Sequence, residues 1–222
     1  MISSLILAGG NGNRFGGTTP KQYAILGDKP VLLHSLDKML HWERNEEIRI
    51  VISKEFRNQI PIDSSNKKIL LFDPGKTRHD SFLSGVSGRR WNHKDVIFVH
   101  DAARPFFKIS DLELLYEGAV SHGISSLYSI LTETILEDNA QGVCVRNRDT
   151  LRSIKTPQAI RGDLLEAWQN KEFLRSPTDL TTWGLENGIT PSLVETGTWN
   201  LKITHAEDLI VANALLASVV EV

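Results

Sequence analysis

Residues 4–23 read SLILAGGNGNRFGGTTPKQY, a short apolar run followed by five glycines, Arg14 and Lys21. An apolar run of this kind is a strand buried on both faces, and such strands belong to sheets covered by crossover helices. The loop that follows leaves the carboxyl end of the strand, which is where open α/β sheets bind their ligands. Glycines let the backbone approach an anion closely, so the amides from Ala8 through Gly9, Gly10 and Gly12 form a candidate phosphate cradle. Arg14 and Lys21 add fixed positive charge, the guanidinium as a fork able to grip two oxygens at once. The plainer alternative is a glycine-rich turn carrying two solvated cations.

Working outward, similar apolar runs recur at 48–52, 69–72, 96–99, 126–130 and 191–195. Between them lie amphipathic segments. In 31–40, Leu32, Leu36, Met39 and Leu40 share one side, and 110–120 opens with Ser110 and Glu113 at capping-box spacing. Asp163 with Glu166, and Thr204 with Glu207, repeat that signal ahead of two further helices. Strands alternating with helices predict a single α/β domain over 1–222, a Rossmann-like, mainly parallel sheet with helices on both faces.

One segment departs from this order. ETILEDNAQGVCVRNR, 133–148, alternates in character on both sides of a turn and predicts a β-hairpin arm too polar for the main core. A projecting hairpin has unpaired edges that a second subunit would cover, so a homodimer is expected, the alternative being an arm folded back on its own domain.

Composition narrows the partners. The 222 residues are 41% hydrophobic and 23% charged, with a formal net charge of -2. No basic stripe tracks a nucleic-acid backbone, and no run approaches the ~20 apolar residues of a membrane helix. The lone Cys144 has no disulfide mate, and the apolar start lacks the basic flank of a signal peptide. A cytoplasmic protein is expected, with neither nucleic acid nor membrane as partner.

Two familiar phosphate loops are excluded. A dinucleotide fingerprint needs a third glycine where Phe15 stands, and a helix directly after it. The PGKT at 74–77 lacks the earlier glycine of a P-loop, since Leu70 occupies that place. A second stretch, VIFVHDAARPF at 96–106, delivers His100, Asp101 and Arg104 to the same sheet edge as the glycine loop. An acid beside phosphates calls for a cation, so Asp101 is a candidate Mg²⁺ ligand or an acceptor for substrate hydroxyls; the alternative is a structural ion pair with Arg104. No nucleophile motif accompanies His100, which is expected to be structural.

Four separated stretches now stand in order over essentially the whole chain: LAGGNGNRFGGTTPKQY (7–23), VHDAARPF (99–106), KTPQAI (155–160) and WNLKITHAEDL (199–209). Together they resemble the 2-C-methyl-D-erythritol 4-phosphate cytidylyltransferase family, with which ribitol 5-phosphate cytidylyltransferases share most of the pattern. The resemblance implies Mg²⁺-dependent transfer of CMP from CTP to a polyol phosphate, with release of pyrophosphate, in a homodimer whose β-arms are exchanged. It implies that Arg14 and Lys21 bind the triphosphate over the Ala8–Gly12 cradle and that Lys202 approaches the α-phosphate from the opposite side, the three forming the catalytic set. Gly75 and Ser81 match positions that read cytosine, with Arg78 supporting their loop. Asp101 falls near the metal and the substrate hydroxyls, with Arg104 beside it. Thr134, Arg148 and Thr156 match the pocket for the acceptor's phosphate, Arg148 crossing from the partner subunit.

The sequence also departs from that family. The lysine usual two residues after an Asp-Thr pair is absent, because Glu133, Thr134, Ile135 and Leu136 stand there. The acceptor is therefore open between methylerythritol phosphate, the commoner choice, and ribitol phosphate.

Overall fold

The computed structural model describes residues 1–12, 14–16, 19–63, 65–170 and 177–220; Gly17 and Thr18 of the opening loop lie outside the described residues. In chain order the elements of the first half are β1 (Ile2–Leu7), β2 (Ile25–Leu26), β3 (Lys29–Pro30), α1 (Val31–His41), β4 (Glu47–Val51), α2 (Lys54–Arg57), β5 (Ile69–Phe72), α3 (Arg78–Val86) and β6 (Val96–Asp101). The second half continues with α4 (Ile109–His122), β7 (Ile124–Ser129), β8 (Ile135–Asn139), β9 (Gly142–Arg146), β10 (Ser153–Arg161), α5 (Gly162–Gln169), α6 (Leu180–Glu186), β11 (Ser192–Glu195) and α7 (Glu207–Val220).

Seven strands form one sheet in the order β11-β7-β10-β6-β1-β4-β5. β1 is an interior strand next to the central β6, parallel to β4 and β6, and β10 runs antiparallel to both of its neighbours. Because β1 is covered on both faces, its side chains divide between two cores. Ile6 packs with Leu36, Met39 and Phe98 on one face, while Leu5 packs with Phe82, Ile97 and Val99 on the other. The predicted layered architecture is present, with the carboxyl ends of β1 and β6 side by side (Leu7 opposite Asp101).

β10 has no counterpart in the sequence reading. It carries Lys155, Thr156 and Pro157, residues that look like a loop. The strand accommodates them through an irregularity: its register against β7 shifts between Lys155 and Gln158, so the proline falls where no ladder bond is needed.

Three predicted helix caps are corrected. α4 starts at Ile109, and Glu113 accepts from Trp42 Nε1 and Arg44 at 2.7 Å each instead of capping with Ser110. Asp163 pairs with Arg161, and Glu166 accepts from the Trp91 amide. Ahead of α7, Asp208 rather than Glu207 accepts from the Thr204 and His205 amides, at 2.7 and 2.9 Å. Glu113 and Glu166 are thus drawn to distant partners, while at α7 the capping carboxylate moves by one residue.

The hairpin is present as β8 and β9, a separate two-stranded sheet with register Ile135 opposite Arg146. Every residue of β9 is exposed, Val143 and Val145 included. Among the described residues no helix is long and apolar enough to cross a membrane.

Candidate active site

The glycine loop is held by side chains that sequence reasoning did not single out. Gln22, almost fully buried, donates from Nε2 to the carbonyls of Ala8 and Gly10 at 2.8 and 2.6 Å, and Tyr23 donates its hydroxyl proton to Ala8 at 2.6 Å. The Ala8 amide donates to Val51 O at 2.8 Å and Ala8 borders none of the cavities described below, so the predicted cradle starts at Gly9 rather than Ala8. With the Ala8 and Gly10 carbonyls tied back, the loop from Gly9 to Gly12 is left to face the cleft. Nothing in charge or periodicity marks Gln22; its only signal is its place beside Lys21. Some of the loop's glycines are required by geometry, Gly9 and Gly12 among them. A Cβ on Gly9 would lie 2.3 Å from Pro74 Cβ, and Gly12 adopts φ +67°.

Three adjoining cavities open along this edge. The central one, about 270 Å³, is walled by Gly9 and Gly10 on one side and by Gly75, Thr77 and Ser81 on the other, with Lys21 and Lys202 bordering it. The second, about 340 Å³, shares Gly10, Asn11 and Lys21 with the first and is bounded by Gly12 and Arg14. The third, about 170 Å³, shares Arg78, Asp101 and Lys202 with the first and reaches Arg104 and Thr156. The structure thus brings Arg14, Lys21 and Lys202 to one continuous trough.

Asp101 stands where the first and third cavities meet. Its Oδ2 accepts from Lys202 Nζ at 2.7 Å and its Oδ1 from Arg78 at 2.9 Å. Burial works to raise its pKa, but the Arg78 and Lys202 charges outweigh that and hold the carboxyl well below the usual range. Its ion pairs are with these two cations; Arg104 instead donates from Nη1 to Asn200 O at 3.0 Å. Arg78 also reaches Thr178 O at 2.8 Å, so it ties α3 to β6 and the α6 entrance, a wider role than support of its own loop. Lys21 is pushed down to about 8, first by burial and then by the neighbouring Lys202 and Arg14 charges, with Asp101 opposing. Like charges crowded in this way mark a site built to receive an anion.

The remaining candidates fall in two groups. Gly75 donates its amide to Ser81 Oγ at 3.1 Å, and a Cβ on Gly75 would lie 2.2 Å from Asp80 Cβ, so α3 closes tightly on the central cavity. Thr77 caps α3 in a full capping box with Asp80. Thr156 accepts the Asp101 amide at 3.0 Å and contacts His100 Nδ1 at 3.3 Å, which fixes the end of β6. His100 is fully buried between Ser35 and Arg104 O, and burial pushes its pKa down to about 3, a neutral structural group as expected. Thr134 and Arg148, by contrast, are exposed at the base of the hairpin and border none of the three cavities; Arg148 bonds to Thr132 O.

An open, mostly parallel sheet with a glycine-walled, cation-rich trough at its carboxyl edge defines an α/β protein of the phosphate-ligand-binding class. The family model for 2-C-methyl-D-erythritol 4-phosphate cytidylyltransferase (IspD) matches residues 2–218, and the chain belongs to that family. A relative of that name from Leptospira interrogans is 41% identical over 217 residues, covering 95% of this chain and 90% of its own length. Another from Leptospira borgpetersenii is 39% identical over 95% of this chain and 92% of its own. The crystal structure of the Francisella tularensis 2-C-methyl-D-erythritol 4-phosphate cytidylyltransferase superposes with a TM-score of 0.81 at 28% identity, covering 96% of this chain and 99% of that one.

Proposed function

We propose that the chain transfers CMP from CTP to 2-C-methyl-D-erythritol 4-phosphate and releases pyrophosphate. The observation that carries the reading is the meeting of two cavities at the Asp101–Lys202 pair, one glycine-walled and one lined by arginine and threonine. A nucleotide in the central cavity would lay its phosphates over the loop between Lys21 and Arg14, and an acceptor in the third would face its α-phosphorus across Lys202.

A phosphate monoester is mostly dianionic at neutral pH, with a second pKa near ~6, so it attacks phosphorus without a general base. What the protein must supply is placement and charge. Lys21, Lys202 and Arg14 lower the repulsion between the two anions and stabilise charge developing on the transferred group and on the departing pyrophosphate. In this reading Gly75 and Ser81 read the base and Asp101 accepts from acceptor hydroxyls.

Among the described residues no group of three or more His, Cys, Asp or Glu could cage a metal. A carboxylate at the cavity junction suits Mg²⁺, which keeps several waters and is bound through one or two carboxylates together with substrate phosphates. Asp101 would hold it, and when bound it would neutralise phosphate charge. We assign the hairpin to a homodimer contact, supported by its exposed Val143 and Val145 and by its lack of pairing to the main sheet. The exposed, free Cys144 supports a reducing compartment, the cytoplasm.

The test is pyrophosphate release on incubation with CTP, Mg²⁺ and either 2-C-methyl-D-erythritol 4-phosphate or ribitol 5-phosphate, with ATP, GTP and UTP as parallel nucleotides. Turnover with CTP and the methylerythritol acceptor supports the reading. Turnover with ribitol 5-phosphate alone reassigns the acceptor, and no turnover with CTP removes the function.

A further inference from the structure

The third cavity holds a cation that no role described so far employs. Lys155 lies on β10 immediately before the register shift, opposite Leu127, and the irregularity at 156–157 breaks the simple in-and-out alternation there. Thr156 and Lys155 thus both border the cavity, Thr156 buried and Lys155 half-buried. Its ammonium makes no hydrogen bond or ion pair among the described residues. Burial and the Arg104 charge both lower its pKa. A lysine on a solvated face would meet neither.

The surroundings deepen the imbalance. Four cations, Arg78, Arg104, Lys155 and Lys202, border this cavity against two carboxylates, Asp101 and Asp179. Asp101 pairs with Arg78 and Lys202, and Asp179 accepts the Thr182 amide at 2.9 Å as the cap of α6. Arg104 is 9% exposed and leaves its Nε without a partner among the described residues. The two cations left without a carboxylate are therefore neighbours, and both border the third cavity but not the central one. Desolvated like charges of this kind persist where a ligand supplies the missing anion.

We propose that Lys155 is an acceptor-binding residue, its ammonium pairing with the phosphate of the polyol phosphate in the third cavity. This rests on the cytidylyltransferase reading for the identity of the acceptor, though not for the existence of the anion site. It also supplies from the sheet a cation that the hairpin does not, since Leu136 stands exposed where the family resemblance led one to look for a lysine.

The experiment compares wild type, Lys155→Met and Lys155→Arg in steady-state kinetics, with CTP and acceptor varied separately. One charge-assisted hydrogen bond is worth roughly 1.5–3 kcal/mol, or about 10- to 100-fold. Lys155→Met should therefore raise the KM for the acceptor by about that factor and leave the KM for CTP within ~3-fold, which also shows that the variant is folded. Lys155→Arg should recover most of the loss. An unchanged acceptor KM, or an equal rise in both KM values, overturns the assignment. If wild type turned over no polyol phosphate, the functional reading would fall, and the Lys155 site would be decided by calorimetric titration with inorganic phosphate. Weaker binding by Lys155→Met than by wild type would uphold the anion site; equal affinity would refute it.

Discussion

Lys202 Nζ donates to Asp101 Oδ2 at 2.7 Å, joining two residues 101 positions apart at the boundary between two cavities. The pair holds the lysine over the junction before any ligand arrives, so its charge needs little reorganisation when charge develops at phosphorus. Lys202→Met should lower kcat by about 10²–10³, by analogy with loss of one oxyanion donor, while CTP affinity weakens by less than ~10-fold. Steady-state kinetics beside direct CTP titration checks this; equal losses in both would assign Lys202 to ground-state binding alone.

Lys21 gives a pH signature. In the empty protein its ammonium titrates near 8, because burial and the Lys202 and Arg14 charges disfavour it. A bound polyphosphate supplies negative charge and raises that value. Well below pH 8 the lysine is protonated in both states and nothing changes on binding. Above it the empty protein has lost the proton and the complex regains it, so CTP binding takes up a proton and weakens as pH rises. Calorimetry at pH 8.5 in two buffers of unlike ionisation enthalpy should show uptake by wild type and none by Lys21→Met. Zero uptake by wild type would contradict the placement of Lys21 against the phosphates.

How much of this was legible in the sequence follows from which contacts are local. Strands β1, β4, β5, β6, β7 and β11 announce themselves because each carries a short run rich in Ile, Val, Leu or Phe, which a sheet covered by helices requires. β10 does not, since its polar residues face a cavity and its proline sits at an irregularity that only the pairing with β7 reveals. The capping signals failed for a related reason: Glu113 and Glu166 bond to Trp42 and Trp91, partners invisible at short range. In the site, Arg14, Lys21 and Lys202 stood out as cations near glycines or in recognisable stretches. Gln22 and Lys155 did not, because what singles them out is burial, a property of the assembled sheet.

Asp101→Asn tests the charge balance of the trough. The carboxyl is held well below its usual range by Arg78 and Lys202, against the opposing effect of burial. A depressed carboxyl contributes stability above its unfolded pKa of ~3.9 and loses it as pH falls toward the folded value. Both partners are about a third exposed, at 37% and 36%, so solvent screens part of the effect. A loss of about 1–3 kcal/mol at pH 7 is expected, between the ranges for surface and buried pairs. Urea unfolding should show that difference, and it should shrink as pH falls below ~4. A variant as stable as wild type at pH 7 would mean the pairs contribute nothing to the fold.

Gly9 and Gly10 are adjacent and should behave oppositely. A Cβ at Gly9 would meet Pro74 Cβ at 2.3 Å, so Gly9→Ala must push apart the two loops that wall the central cavity. At Gly10 nothing lies within 4 Å of the added carbon, which would project into open space. Gly9→Ala should therefore lower the melting temperature by several degrees, as ~1–2 kcal/mol of overpacking would in a chain of this size, and weaken CTP binding as well. Gly10→Ala should melt with wild type, yet weaken CTP binding if the amide surface at residue 10 is where the phosphates rest. Thermal melts with and without CTP separate the two effects: full CTP stabilisation of Gly10→Ala would place the triphosphate elsewhere in the trough, and an unperturbed Gly9→Ala would show that the loops can part without cost.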